Sequence, residues 1–373
     1  MQSIGYGLIG TGFMGKCHAL AMNAVKAAFG DAPRPRLVML CDNDEAAARK
    51  AAEQFGFESA ATDWRQLIEN PAVQLVSITS PNGLHRDMAV AALQAGKHVW
   101  CEKPMALTLA DAEAMAAAAR HSSGKTLLGY NYLQNPAVRH MKALAAAGVI
   151  GRVFHVRGQF DEDYLADAAE PWSWRQTKAA GGLGVLGDLM CHLISLVHDT
   201  VSPIARLTAG MQTVYPERGV ALQPGMRRAV ENEDSAQCLV TLANGADGVL
   251  MASRAAWGRK NMLRLELHGT LGLLVFDQER MNELELFTSD GNRATRGARR
   301  ILTGPEHPPY GAFCPAPGHQ LGFNDLKVIE AKCLLDVIAG KAAPHVNFAE
   351  GLKIEKVIHA IAQSAAAGGW ISL

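Results

Sequence analysis

Gly10-Thr11-Gly12-Phe13-Met14-Gly15 lies between a short apolar run, Ile4 to Ile9, and an amphipathic stretch, Phe13 to Phe29. This placement constrains the fold more than any other feature. A G-x-G-x-x-G turn joining a first strand to a first helix is the phosphate turn of a dinucleotide-binding βαβ unit. Gly10 permits the tight turn, Gly12 lets the backbone approach a pyrophosphate, and Gly15 lets the helix pack on the strand. The helix N-terminus then offers N–H groups and partial positive charge to the phosphates. Thr11, Phe13 and Met14 complete the loop as candidate cofactor contacts. Asp42 ends the second strand, Leu37 to Cys41, where a carboxylate accepts hydrogen bonds from the adenosine ribose and repels a 2′-phosphate; NAD is the expected cofactor. Asp42 follows Gly15 by more than the usual interval of roughly 20 residues, and Gly30 to Pro35 reads as the inserted loop that accounts for the excess. The alternative for Asp42 is a cap on the next helix.

The alternation continues: helix Asp44 to Phe55, strand Leu75 to Thr79, helix Leu84 to Ala95, strand His98 to Cys101, helix Thr108 to His121 with a Thr108/Asp111 capping box, and strand Lys125 to Gly129. Doubly apolar strands separated by helices predict an N-terminal Rossmann domain, a doubly wound parallel sheet over residues 1–129. After Tyr130 the pattern changes. Helices Pro136 to Ala147 and Val185 to Val197 accompany strand-like runs Arg152 to Phe160, Ile204 to Val214, Ala236 to Leu242, Gly248 to Ala255, Leu263 to Leu267, Leu273 to Phe276 and Leu284 to Phe287. Helices Asp325 to Ile338 and Ala349 to Ala366 finish the chain. Residues 130–373 therefore read as an α+β domain with a large, mostly antiparallel open sheet, and the class of the whole is α/β.

The 373 residues carry a formal net charge of zero and 49% hydrophobic residues, a globular balance that gives no electrostatic reason to expect nucleic acid or an anionic membrane as partner. No apolar run reads as long enough to span a bilayer. The basic segment Arg293 to Arg300 reads as a solvated loop. Seven cysteines with no C-x-x-C argue against a disulfide framework, and dispersed histidines predict no metal site. The N-terminus runs almost at once into a strand, without a basic leader, so a cytoplasmic setting is expected.

Asp188 and His192 are four residues apart and share a face of a helix, where an imidazole beside a carboxylate can take a proton near neutral pH. Lys103 sits at the carboxyl end of a parallel strand, the edge where such sheets bind ligands, and its ammonium can stabilise alkoxide character in a reacting hydroxyl. Trp174 and Arg175 precede the catalytic helix; Tyr132 follows the last strand of the first domain, and Asp161 ends the first long strand of the second. All four are candidate substrate contacts, and a long Pro- and Gly-rich loop ends in His319.

Gly96 to Pro104, with Glu102-Lys103-Pro104 at its end, resembles the fifth-strand motif of the glucose–fructose oxidoreductase / inositol dehydrogenase / MocA family. Thr79-Ser80-Pro81-Asn82 with His85 resembles the same family's fourth-strand loop. Gly181 to His192 resembles its glycine-rich entry to the catalytic helix. The resemblance implies that Ser80, Pro81, Asn82, His85, Glu102 and Lys103 serve the cofactor. It also implies that Lys103 and His192 work on the reacting hydroxyl with Asp188 as orienter, that Lys103–Pro104 is cis, and that the substrate ring lies between the two domains. Phe313 to Gly322 is similar to a segment of a scyllo-inositol dehydrogenase subgroup that also oxidises L-glucose; there the residues matching Arg175 and His319 contact substrate, the histidine from a neighbouring subunit.

The expectation is an NAD-dependent dehydrogenase oxidising a ring CH–OH of an inositol or similar pyranose, in a homodimer or homotetramer. A disaccharide or anhydrosugar dehydrogenase, an NAD-dependent glycosidase and a non-catalytic dinucleotide-binding regulator are the alternatives.

Overall fold

A computed structural model describes residues 3–342 and 346–373. The chain divides into two compact units, residues 1–134 with 322–355, and 135–321 with 356–373. This differs from a single cut after residue 129. Helix Phe323–Ile338 packs along Phe13–Ala28 and so rejoins the first unit.

In the first unit six strands are parallel, in the order Ser59–Ala61, Pro35–Cys41, Ile4–Ile9, Leu75–Ile78, His98–Cys101, Thr126–Leu128. All residues of Ile4–Ile9 and of Leu75–Ile78 are buried, as helices on both faces require. The strand order reverses between these two strands. The loops leaving their carboxyl ends, Gly10–Gly15 and Thr79–Asn82, therefore flank the crevice where doubly wound sheets bind ligands. Strand Ser59–Ala61 and helix Trp64–Glu69 are absent from the sequence reading, because elements this short carry no resolvable period. Thr108 caps its helix as expected, accepting from the Asp111 amide.

The second unit holds a nine-stranded sheet in the order Arg299–Leu302, Glu283–Thr288, Gly272–Asp277, Met262–Gly269, Val153–Asp161, Asp247–Ser253, Ser235–Leu242, Ile204–Gln212, Ile371–Ser372. Every pairing is antiparallel except that between Val153–Asp161 and Asp247–Ser253. Along Ser235–Leu242 burial alternates. Ala236, Cys238, Val240 and Leu242 face inward, while Gln237 and Leu239 are exposed. Helix Cys191–Thr200 lies on the central strand Val153–Asp161. Leu193 meets that strand at Gly158, and burying a leucine of this kind stabilises the layer by roughly 1.5–3 kcal/mol.

Two readings need correction. Arg299 and Arg300, read as the end of a solvated loop, begin the edge strand Arg299–Leu302, where charged side chains discourage edge-to-edge pairing. The stretch Lys178–Thr200 is long and apolar enough to cross a membrane by length and composition, but 78% of its apolar window is buried in the protein. The apolar character serves the core.

Candidate active site

The glycine loop has the geometry its sequence demands. Gly10 adopts φ 102°, a left-handed conformation that disfavours side chains. A Cβ on Gly15 would lie 2.1 Å from Gly10 O. Gly12 is the N-cap of helix Phe13–Ala28 with no side-chain cap, which leaves the helix start to an incoming anion. Phe13 is 69% exposed, its ring stacked on Phe323 at 5.9 Å. Asp42 Oδ2 accepts from the Thr11 amide at 2.9 Å and the Thr11 hydroxyl at 2.6 Å, and Oδ1 accepts from the Asp44 amide at 3.2 Å. The next helix is capped by Asp44, so the capping alternative for Asp42 fails. Asp42 is tied to the glycine loop itself. Ser80 is half-buried, its hydroxyl donating to Met88 Sδ at 3.4 Å. Asn82–Leu84 form a 3-10 turn after Pro81.

Lys103 leaves the carboxyl end of strand His98–Cys101, and Lys103–Pro104 is cis, as the motif implies. Buried side chains clasp the turn. His85 has Nδ1 3.0 Å from Pro104 O and Nε2 2.9 Å from Ser80 O. Since His85 is fully buried, its effect on a cofactor is indirect, through the two loops it joins. Burial holds its pKa below the usual imidazole value. Glu355, from helix Phe348–Ala367, accepts from the Met105 amide at 2.7 Å.

Burial pushes the Glu355 carboxyl up to about 8, against the backbone donors Met105 and Ala106. In the fold it therefore keeps its proton to about pH 8, whereas an unfolded glutamate loses it near 4.5. Across that window the unfolded chain binds fewer protons than the native one, so stability falls as pH rises. Glu355→Gln keeps the acceptor and cannot ionise. Relative to wild type, its unfolding free energy in urea is expected to gain on the order of a few kcal/mol between pH 5 and pH 8. An equal offset at both pH values would show that Glu355 does not titrate this way.

Glu102 is buried rather than presented to a ligand. Oε1 accepts from Lys327 Nζ at 2.5 Å and lies 2.8 Å from His18 Nε2, and Oε2 accepts from the Lys103 amide at 3.2 Å. Lys327 also donates to Glu330 at 2.7 Å, and the His18 ring stacks on Trp100 at 3.7 Å. His18, Glu102 and Glu330 bring potential ligand atoms within 4.8 Å of one another, the one such group found among the described residues. However, the Lys327 ammonium already bridges the two carboxylates and supplies the cation. Burial opposes the Glu102 charge, but Lys327 and His18 hold it well below the usual carboxylate range. Burial holds His18 down at about 4 and lifts Glu330 to about 7. Tyr132 is buried, edge-on to Phe323 at 6.2 Å.

In the second unit, Asp188 lies in a π-helical turn, Leu186–Met190, that runs into helix Cys191–Thr200 carrying His192. Wide turns of this kind recur at functional sites. His192 is buried, its ring 6.0 Å from Phe160. Asp188 Oδ2 accepts from the Tyr164 hydroxyl at 2.6 Å. The turn is anchored from outside. Glu233 accepts from the Leu186 amide through Oε1 and from the Val185 amide through its carbonyl, and Arg254 pairs with Asp234 at 2.9 Å and Asn232 at 2.7 Å. Sequence reasoning missed Tyr164, Glu233 and Arg254. For Glu233 the signal was the acid-rich Glu231-Asn232-Glu233-Asp234, which reads equally as a solvated turn; Tyr164 and Arg254 left none.

The remaining candidates are spread over that unit. Asp161 is buried beside Gln159, whose amide donates at 2.5 Å, and burial raises its pKa. Two residues on, Asp163 binds Lys260 at 2.7 Å. Arg175 is exposed, its guanidinium 4.6 Å over the Trp174 ring. His319 is exposed, Nδ1 3.1 Å from Ala316 O.

The oxidoreductase family model with an NAD-binding Rossmann fold matches residues 4–130, and the GFO/IDH/MocA C-terminal domain matches residues 138–275. A levoglucosan dehydrogenase from Pseudarthrobacter phenanthrenivorans is 36% identical, over 100% of this chain and 99% of its own. A solved levoglucosan dehydrogenase in complex with NADH and levoglucosan superposes with a TM-score of 0.96 at 36% identity, covering 100% and 99% of the two chains. An NAD-binding oxidoreductase from Klebsiella pneumoniae gives 0.95 at 41% identity with the same coverage. The scyllo-inositol subgroup is thereby displaced as the point of comparison. Fingerprint, Glu102-Lys103-Pro104 turn, Asp188/His192 helix and both matching domains agree, and the chain belongs to the GFO/IDH/MocA family of NAD-dependent oxidoreductases.

Proposed function

We propose that this enzyme oxidises a ring CH–OH of an anhydrosugar, with levoglucosan as the first candidate, and yields the keto sugar. The observation that carries this is the full-length likeness to levoglucosan dehydrogenase at 36% identity, against 28% over 78% of this chain for a myo-inositol 2-dehydrogenase. NAD, when bound, accepts the hydride. The chain's own residues handle the oxygen and its proton: the Lys103 ammonium donates to the reacting oxygen, His192 takes the hydroxyl proton, and Asp188 orients the partners. Asp42 favours the unphosphorylated adenosine ribose.

The test is NADH formation, followed by absorbance, with levoglucosan, scyllo- and myo-inositol, D- and L-glucose and a disaccharide. Turnover of levoglucosan ahead of the rest supports the reading. Preference for an inositol or L-glucose returns the substrate to the alternative suggested by Arg175 and His319. Sugar release from a disaccharide without net NADH identifies a glycosidase, and silence with tight NAD binding overturns the enzyme reading.

A further inference from the structure

We infer that Tyr164 is a positioning residue for Asp188: its hydroxyl, donating to Oδ2 at 2.6 Å, fixes the rotation of the carboxylate and keeps it ionised for the reaction. The inference rests on the proposed role of Asp188 and deepens it.

The phenol comes from a segment built to hold still. Residues on both sides of Tyr164 are bonded to fixed partners: the Glu162 amide donates to Ser253 O at 2.8 Å and the Leu165 amide to Arg254 O at 2.9 Å. Asp163 is held by Lys260 and by the Gly258 amide. The Leu165 carbonyl accepts from the buried Arg218 at 2.6 Å, and the Ala166 carbonyl from the Tyr215 hydroxyl at 3.0 Å. Leu165 and Ala166 are buried, whereas Tyr164 as a residue is 37% exposed. The segment on either side of Tyr164 is fixed, so its hydroxyl meets the Asp188 carboxylate from an anchored backbone. Both ends of the bond are anchored, since the Asp188 turn is fixed by Glu233.

A short bond from a neutral hydroxyl to a carboxylate is charge-assisted and favours the ionised acid. Among the described residues the charged groups acting on the phenol are Asp188, Arg254 and Glu162, and His192, the proposed proton acceptor, stands four residues on from Asp188. Burial and Asp188 push the Tyr164 hydroxyl well above its usual range, so it stays protonated and remains a donor.

Tyr164→Phe removes one hydroxyl and keeps the ring. With the preferred sugar, kcat is expected to fall roughly 10- to 100-fold, and the acid limb of kcat/KM to move upward, with NADH affinity and melting temperature little changed. Independently of turnover, a carbon-13 NMR titration of the full chain, with Asp188 assigned through Asp188→Asn, is expected to show the carboxyl protonating at higher pH in Tyr164→Phe. An unmoved limb together with an unmoved titration overturns the inference, even if kcat falls, because the hydroxyl then only packs. If wild type oxidises no sugar, the proposed function fails and the NMR titration alone decides this point. If wild type is active and Tyr164→Phe equals it in both readouts, only the inference fails.

Discussion

Lys103→Ala is expected to lower kcat on the preferred sugar by roughly 10²- to 10⁴-fold, while the Kd for NADH, read by fluorescence, changes by less than about tenfold. The asymmetry follows from where charge develops. The oxygen bonded to the reacting carbon gains negative character as the hydride leaves, so an ammonium donating to it stabilises the transition state more than the ground state. On the proposed reading the cofactor keeps other anchors, the glycine loop, the uncapped helix start and the Asp42 tied to that loop. The turn bearing Lys103 is held by His85 at Pro104 O and by Glu355 at the Met105 amide, so truncation should leave the turn in place. Equal losses in NADH affinity and in kcat would mean that Lys103 serves the nucleotide and not the reacting hydroxyl.

The first unit was legible because its physics is local. A glycine turn must follow a strand, a doubly buried strand must be apolar throughout, and helices between such strands dictate a parallel sheet. Each rule left a trace within a few consecutive residues, from Ile4 to Gly15 or from His98 to Pro104. The sheet of the second unit was legible through alternation, as in Ser235–Leu242, but its strand order was not. Pairing such as Val153–Asp161 beside Asp247–Ser253 joins segments far apart in sequence.

The candidate site divides in the same way. Asp188 and His192 announce themselves by a spacing of four, whereas Tyr164 reaches Asp188 through folding alone. Lys327 is the clearest case of a hidden residue. With Glu330 three positions on, it reads as an exposed ion pair of the kind helices carry on their wet faces, yet both are fully buried, and the partner that explains them, Glu102, stands 225 residues away. Sequence shows that a charge is present; only the fold shows what its environment costs.

That cost makes Lys327→Met the substitution with the largest expected effect on stability, a loss of about 3–5 kcal/mol in urea unfolding at neutral pH. Glu102 is ionised inside the protein because the ammonium lies 2.5 Å away, with His18 as its other side-chain partner. His18 titrates at about 4 and is neutral at pH 7, so it donates a hydrogen bond without a charge. Without Lys327 the carboxylate must stay charged and uncompensated or take up a proton far above its native pKa, and either choice is unfavourable. Glu330, already lifted to about 7, would lose the same cation and shift further toward its neutral form. The double variant Glu102→Gln/Lys327→Met removes both members of the pair and should recover at least half of the loss, since a buried pair replaced as a whole is often nearly neutral. A loss below about 1 kcal/mol for the single variant, or a double variant as unstable as the sum of its parts, would show that the cluster is hydrated and that Lys327 is not what keeps Glu102 ionised beneath the Lys103 turn.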